Sequence, residues 1–330
     1  MPDIRQEIAN LLRTAKKVLI TTHIRMDGDA LGSSLGLLRT LRESGTAADA
    51  VNASPVPSQY VFMPRAGELF ESVPDPASYD IFVALDCANE ERLGFDMSQL
   101  SESCVTVNID HHPTNSRFAR YNFIDGKAPC AGEMLLDIIQ RAELECPAYG
   151  AQMLYIALLT DTGRFSFPNT TQRAFDAAIR LVRKGADPAE AANSVYFTRS
   201  PKMLRFLGHA YSSLKFLFDE KFAYISLKEK DLHTFGLDKY DTQEIVDIPR
   251  LSAASKVAAF LLELDEGITR ISLRSKDSLD CSLIAAHFGG GGHKGAAGAT
   301  YDGPMHEAEK IVCEQVVKLL DIHDAEGECS

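Results

Sequence analysis

Four short stretches of this 330-residue chain set acids and imidazoles where apolar segments end. THIRMDGDALGS offers His23, Asp27 and Asp29, VALDCAN offers Asp86, NIDHHPTN offers Asp110, His111 and His112, and LLTDTGRFSF offers Asp161. In open α/β sheets, ligands sit outside the carboxyl ends of the strands, so groups at several strand ends converge in one crevice. Four or five carboxylates gathered there would repel one another and be driven toward the neutral acid unless cations neutralised them. A mixed histidine and carboxylate set suits two octahedral-type divalent ions such as Mn²⁺ better than thiolate-loving Zn²⁺. Two such ions about 3.5–4 Å apart can activate a water and clamp a scissile phosphate, an arrangement for hydrolysing phosphoesters. A lone acid after a strand is commonly just a helix cap, and Asp29 before ALGSSL could be that. A cap, however, needs one acid and has no use for HxxxDxD or DHH.

The elements that must carry these groups are legible in the apolar periodicity. KKVLITTH reads as a strand and ALGSSLGLLRTLRESG as a helix, in which Leu31, Leu35, Leu38 and Leu41 share a face and Gly45 supplies the stop. DIFVALD and CVTVNID are short apolar runs ending at an acid, which suits buried parallel strands. MPDIRQEIANLLRTAKK, GEMLLDIIQRAEL and AQMLYIALLTD read as helices. The alternation predicts an open, mostly parallel α/β sheet with flanking helices. TQRAFDAAIRLVRKGADP is a further helix closed by Gly185 and Pro188, and helical material interrupted at Pro201 follows as a connector. From Lys215 onward come a hairpin-like strand pair, KFLFDEKFAYISL, the strand GITRISLRS, the block FGGGGHKGAAGA and a last helix, HEAEKIVCEQVVKLLDI. This is a smaller, mixed α/β domain. The expected division is a catalytic metal-binding domain over 1–186, a helical connector over 187–213 and a substrate-binding domain over 214–330, with the active-site cleft between the two domains. The final EGECS is expected to be a frayed tail.

The net charge of −12 argues against coating long nucleic acid by counterion release. Residues 199–300 carry 14 basic against 13 acidic side chains while the rest carries 20 against 33, so an anionic ligand must be met by locally placed cations or metals. No apolar run approaches the roughly 18 to 20 residues that span a bilayer, and no signal-peptide block opens the chain, so a cytoplasmic location is expected. The seven cysteines are odd in number and lack CxxC spacing, which predicts reduced and mostly buried thiols.

The four acid-bearing segments match, in order and spacing, the DHH superfamily of phosphoesterases, and FGGGGHKGAAGA resembles the DHH-associated C-terminal domain. DTGRFSF with NTT, SLRSK and GGGGH resembles the branch containing oligoribonuclease (nanoRNase) and 3′-phosphoadenosine 5′-phosphate (pAp) phosphatase activities. The resemblance implies that His23, Asp27 and Asp86 bind one manganese, and that Asp29, Asp86, His111 and Asp161 bind the other, with Asp86 bridging. It implies that His112 faces the substrate phosphate as general acid or electrostatic stabiliser, and it implies a homodimer. Asp110 would fix the loop or an imidazole from behind, or be only a strand-end turn former. One departure is visible: Arg25-Met26 stands where many relatives have a proline.

FGGGGHKGAAGA cannot be a P-loop, for it lacks the GK[ST] ending. Gly290, Gly291 and Gly292 nevertheless allow backbone N–H groups close to a phosphate, and His293 can add a donor. Arg274, with Ser275 beside it, could hold a terminal phosphate or stack on a base, and Arg92 is a candidate for contacting the scissile phosphate. The expected reaction is in-line attack of an activated water on phosphorus, freeing 5′-mononucleotides from oligonucleotides of a few residues or phosphate from pAp. The nearest alternative is a phosphodiesterase for cyclic di-AMP or linear pApA; pyrophosphatase and exopolyphosphatase rank lower, and a non-catalytic nucleotide sensor is the reading from another class.

Overall fold

Lys17–Thr22 buries every residue but its first, as a central strand covered on both faces must. It is the first strand of a computed structural model that describes residues 3–327 except 66, 243, 265, 266, 277 and 278. The chain divides into two units, Met1–Thr198 and Arg199–Ser330, and the last three residues of the expected tail lie outside the described residues. The first unit runs α1 (Ile4–Thr14), β1 (Lys17–Thr22), α2 (Gly28–Glu43), β2 (Ala47–Val51), β3 (Leu69–Phe70), β4 (Ile81–Leu85), β5 (Val105–Asp110) and β6 (Tyr121–Ile124). Then follow α3 (Ala131–Arg141), α4 (Ala148–Asp161), α5 (Gln172–Arg183) and α6 (Pro188–Ala192).

The six strands stand in the order β3-β2-β1-β4-β5-β6, and all their pairings are parallel. Successive strands are added to one side of β1 up to β3 and to its other side from β4 onward, so the carboxyl ends of β1 and β4 form the crevice of a doubly wound sheet. The register sets those ends level, with Thr22 opposite Leu85 and Leu85 opposite Ile109. Alternate residues feed two cores: Val18, Ile20, Val83 and Val107 pack under the helices, while Leu19, Phe82 and Ala84 pack on the other face with Leu93.

Helix α2 lies close against α4, whose Thr160, Ala157 and Leu154 side chains seat on its glycines. Its Gly28, Gly32 and Gly36 recur every four residues on the facing stripe, and a Cβ on Gly32 would stand 2.5 Å from the Met153 carbonyl oxygen. That close approach fixes the start of α2, with Asp27 and Asp29, against the end of α4, with Asp161. The Arg25-Met26 departure is absorbed here: Met26 is fully buried in the core, and Arg25 takes a left-handed φ of 59° with its N–H donated to the Ser54 hydroxyl.

The second unit holds α7 (Pro201–Ser212), β7 (Lys215–Leu217), β8 (Phe222–Lys228), α8 (Glu229–Thr234), α9 (Asp247–Arg250), β9 (Val257–Glu263) and β10 (Ile268–Ser275). It ends with α10 (Ser282–His287), β11 (Gly291–His293), β12 (Ala296–Asp302) and α11 (Met305–Gly327). Its sheet, in the order β11-β12-β10-β9-β8-β7, is antiparallel except between β8 and β9. Period-two alternation again fills both faces: Val257, Ala259 and Leu261 meet Val312 and Val316 of α11, while Phe260 and Leu262 meet Phe206 and Leu232. Among the described residues no helix is long and apolar enough to cross a membrane.

Candidate metal centre

The carboxyl ends of β1, β4 and β5 deliver His23, Asp86 and the pair His111 and His112 side by side. Asp27 caps α2 by accepting the Ala30 N–H at 3.0 Å, so the helix begins two residues earlier than a cap at Asp29 would require. Asp29 caps a different helix. Its Oδ2 accepts the Ala131 N–H at 2.6 Å, and its Oδ1 accepts the Gly132 N–H at 3.0 Å and the Ser33 hydroxyl at 2.8 Å, seating the carboxylate on the positive end of α3. Asp161 sits at the opposite kind of end, the C-terminus of α4, where a negative charge is disfavoured without a cation nearby. It is held by Asn169, whose Nδ2 donates to the Asp161 carbonyl at 3.1 Å, and the turn that follows runs left-handed through Gly163, Arg164 and Phe165.

Asp86 lies at the middle. It adopts a left-handed φ of 51° at the strand end, secured by its N–H on the Ile109 carbonyl at 3.0 Å. Its Oδ2 faces His23 Nε2 at 3.6 Å and its Oδ1 faces His111 Nε2 at 3.4 Å. His111 Nε2 also stands 3.7 Å from Asp161 Oδ2 and 4.0 Å from Asp29 Oδ2, and His23 Nε2 stands 3.8 Å from Asp27 Oδ2. His23 presents that nitrogen because its Nδ1 lies 2.8 Å from the Ile24 carbonyl, which fixes tautomer and ring direction.

These separations are too long for charge-assisted hydrogen bonds, which close to about 2.7–2.9 Å. They suit donors shared by a cation, since ligands about 2.1 Å from an octahedral ion stand roughly 3 Å apart when adjacent and about 4 Å apart when opposite. Asp86 Oδ1 is buried and has no hydrogen-bond partner. Three groups can each converge on one point: His23, Asp27 and Asp86; Asp29, His111 and Asp161; and Asp86, His111 and His112. The donor set therefore fits metal ions.

The electrostatics agree. Burial, then the charge of Asp86, push the Asp29 carboxyl up to about 7 against the pull of the α3 amides. Burial works against a charged His111, yet Asp86, Asp161 and Asp29 around it raise the imidazole to about 11. Burial likewise opposes ionisation of Asp86, but His111 and His23 hold it well below the ordinary carboxylate range. Without metal, protons on the histidines supply the missing positive charge.

His112 and Asp110 form a close pair at the edge of this cluster, His112 Nδ1 also standing 3.6 Å from Asp86 Oδ1. Asp110 is completely buried and its Oδ1 lies 2.7 Å from His112 Nδ1, so its partner is His112 rather than the imidazole of His111. Arg92 is exposed in the turn at Asn89, and its carbonyl accepts the Ile24 N–H at 2.7 Å beside the bridge between His23 and Leu93, which ties its turn to the β1–α2 loop.

The remaining expected residues lie in the second unit. Arg274 and His293 both pair with Ala296 across adjacent strands, so the three share one face of the sheet. Arg274 Nε is 3.5 Å from Asp247 Oδ1. The Ser275 hydroxyl lies 2.9 Å from the carbonyls of Leu279 and of Lys294. The glycine tract is a hairpin edge rather than an open loop. A Cβ on Gly290 or Gly292 would collide with the backbone of β12, so part of the demand for glycine is internal.

Sequence reasoning passed over Ser33, Asn108, Asn115 and the α3 N-terminus as working groups. The two asparagines do frame the stretch NIDHHPTN, a pattern that could have drawn notice.

Residues 17–159 match the DHH family, N-terminal domain, and residues 219–320 match the DHHA1 domain. The bifunctional oligoribonuclease and PAP phosphatase NrnA of Thermus thermophilus is 34% identical over 315 residues, which cover 95% of this chain and 93% of that protein. The Bacillus subtilis protein of the same name is 25% identical, with 94% and 97% covered. Among solved structures, an exopolyphosphatase-related protein from Bacteroides fragilis superposes with a TM-score of 0.85 at 28% identity, over 96% of this chain and 95% of its own. RecJ of Thermus thermophilus in complex with Mn²⁺ shares the fold, with a TM-score of 0.56 at 15% identity, over 96% of this chain and 55% of that one.

Proposed function

This chain belongs to the DHH family, and on that premise we propose that it is a metal-dependent phosphoesterase that trims short oligoribonucleotides to 5′-mononucleotides and converts pAp to AMP. The observation that carries the reading is Asp86, a buried carboxylate whose two oxygens face two imidazoles from different strands, one of them orphaned. The names of the relatives support the substrate pair. His23, Asp27 and Asp86 would hold one ion and Asp29, Asp86, His111 and Asp161 a second, both Mn²⁺ by preference for mixed N/O donors. When bound, such ions supply charge neutralisation at the phosphate and a water acidified for attack. The chain's own residues do the rest. Asp86 and Asp29 hold the ligand cage through strand end and helix end, and His112 faces the phosphate, steadying its oxygens or protonating the departing 3′ oxygen, with Asp110 orienting the ring. Arg92 approaches the scissile phosphate.

We assign the chemistry to 1–186, a connecting role to 187–213 and grip on the far phosphate to 214–330, through Arg274, Ser275, the backbone of Gly290–Gly292 and His293. The shared sheet face of Arg274 and His293 supports that grip. His293→Ala is expected to weaken pAp binding about tenfold, the lower range for a hydrogen bond to a charged group, while Mn²⁺ affinity stays unchanged. Calorimetry with each ligand separates the two.

The homodimer is proposed through α5. Phe175, Ile179 and Val182 are exposed along one stripe of that helix. Two copies laid antiparallel about Ile179 would bring each exposed Asp176 toward the other's Arg183, a self-complementary arrangement suited to a two-fold axis. Ile179→Glu is expected to give a monomer by light scattering at a concentration where the parent is dimeric; an unchanged mass would reject this face. The proposed substrates arise in the cytoplasm, which we take as the place of action.

The deciding assay for the activity is turnover with Mn²⁺ on pAp, a 5′-phosphorylated RNA dinucleotide, pApA and cyclic di-AMP in parallel. Fast cleavage of the first two with cyclic di-AMP untouched is expected. Preferential opening of cyclic di-AMP would overturn the substrate assignment, and binding of pAp without turnover would make the protein a sensor.

A further inference from the structure

The loop that carries His111 and His112 is closed on itself and on the Asp86 turn by one carboxamide. The Asn115 Nδ2 lies 2.6 Å from Asp110 Oδ2, 2.8 Å from Asn108 Oδ1 and 3.1 Å from the Cys87 carbonyl. Its Oδ1 accepts the Arg117 N–H at 2.7 Å, and its own N–H donates to the His112 carbonyl at 3.2 Å. Asn108, fully buried at the middle of β5, donates to the Ala84 carbonyl at 3.2 Å and lies 3.3 Å from that of Cys87, flanking Asp86 on both sides. A carboxylate has no hydrogen to give, so Asp110 must accept at both oxygens: from Asn115 on Oδ2 and from His112 Nδ1 on Oδ1.

We propose that Asn115 is a positioning residue for the phosphoester reaction, acting through Asp110 to hold the His112 imidazole in one orientation and one tautomer while its Asn108 contact ties that pair to the Asp86 turn. The inference rests on the function proposed above, since it needs His112 to face substrate. The mechanics are local. Asp110 is buried, and among the described residues no lysine or arginine lies in hydrogen-bond contact with it, so the Asn115 amide is what keeps its second oxygen satisfied and its plane fixed. With the carboxylate plane fixed, the Nδ1–H of His112 is drawn to Asp110 Oδ1 at 2.7 Å rather than to Asp86 Oδ1 at 3.6 Å, and the ring's Nε2 edge is aimed by default. Loss of the amide frees the carboxylate to rotate and the imidazole with it, while His23 keeps its Nδ1 contact to the Ile24 carbonyl and Asp86 keeps its N–H on the Ile109 carbonyl.

The test is a double-mutant cycle on the Mn²⁺-loaded full-length protein with pAp as probe. Asn115→Ala is expected to lower kcat by about 10- to 100-fold, the range for groups that support a functional histidine, with KM and Mn²⁺ affinity within twofold of the parent. On a His112→Ala background the same substitution is expected to cost less than twofold, because the group it acts through is gone. Asn115→Ser, too short to reach Asp110, carries the same expectation and a smaller burden on folding. Equal losses in both backgrounds, or weakened Mn²⁺ binding, would overturn the inference and leave the phosphoesterase reading standing. A parent protein that does not turn over pAp would instead bring down the reading beneath it.

Discussion

Asp86→Ala is expected to abolish turnover of pAp and of short RNA, lowering kcat/KM by about a thousandfold or more. The size follows from what one residue does twice. Asp86 presents Oδ2 to His23 and Oδ1 to His111, so its removal takes a donor from two of the three convergent groups, and each metal ion would contribute several kcal/mol to the transition state at about 1.4 kcal/mol per decade of rate. Asp27→Ala makes the contrast. Its carboxylate belongs to one group only and half of its side chain is exposed, so one site should weaken while the other fills normally. A Mn²⁺ titration followed by electron paramagnetic resonance counts the ions held by each variant. Asp86→Asn, of equal volume, guards against a mere loss of fold and is expected to match the alanine variant in turnover. Two tightly bound ions and activity within tenfold of the parent in Asp86→Asn would remove Asp86 from the bridging role.

That Asp86 could be picked out from the chain alone reflects how little of its placement depends on distant packing. A short apolar run ending at an acid is a parallel strand delivering a carboxylate to its C-terminal edge, and DIFVALD and CVTVNID both behave so. Strand order is not legible in the sequence because apolar runs look alike, yet the crevice depends on it: only with β1 beside β4 do His23 and Asp86 flank the point where the strand order switches sides. Asp161 was harder, since it comes from a helix end. Its position follows from the glycine stripe of α2, a spacing visible in GDALGSSLG but with a meaning that needs α4 opposite it.

What stayed hidden were the groups whose work is to satisfy other groups. Asn115, Asn108, Ser33 and the α3 amides are ordinary polar residues in sequence, and Cys130, which accepts the Glu133 N–H at the start of α3, looks like any buried thiol. Their value comes from one buried lone pair or another being otherwise unsatisfied, and that is a property of the folded neighbourhood. The glycine tract shows the reverse difficulty. Its composition suggests a phosphate cradle, whereas the fold already uses Gly290 and Gly292 to let β11 lie close on β12.

Mn²⁺ is expected to stabilise the protein by an amount that grows with pH. In the metal-free protein Asp29 titrates near 7 against about 3.9 in an unfolded chain, so between those values the native state holds the extra proton and stability falls as pH rises. His111, raised to about 11 from an unfolded value near 6.5, continues the same slope on the alkaline side. Asp86, held low, contributes stability that is lost only as pH falls below about 4, outside the working range. Cations take the place of the protons on these groups, so loading releases protons and tightens with pH. Free Mn²⁺ at about a hundredfold over Kd adds about 2.7 kcal/mol per ion, and two ions should lift the Tm by roughly 8 °C over the chelated protein at pH 8. At pH 5 the same total metal should lift it far less. Scanning calorimetry with Mn²⁺ and with EDTA across that range is the measurement, and a difference that is flat or shrinks with rising pH would mean that the buried acids and histidines are neutralising one another rather than waiting for metal.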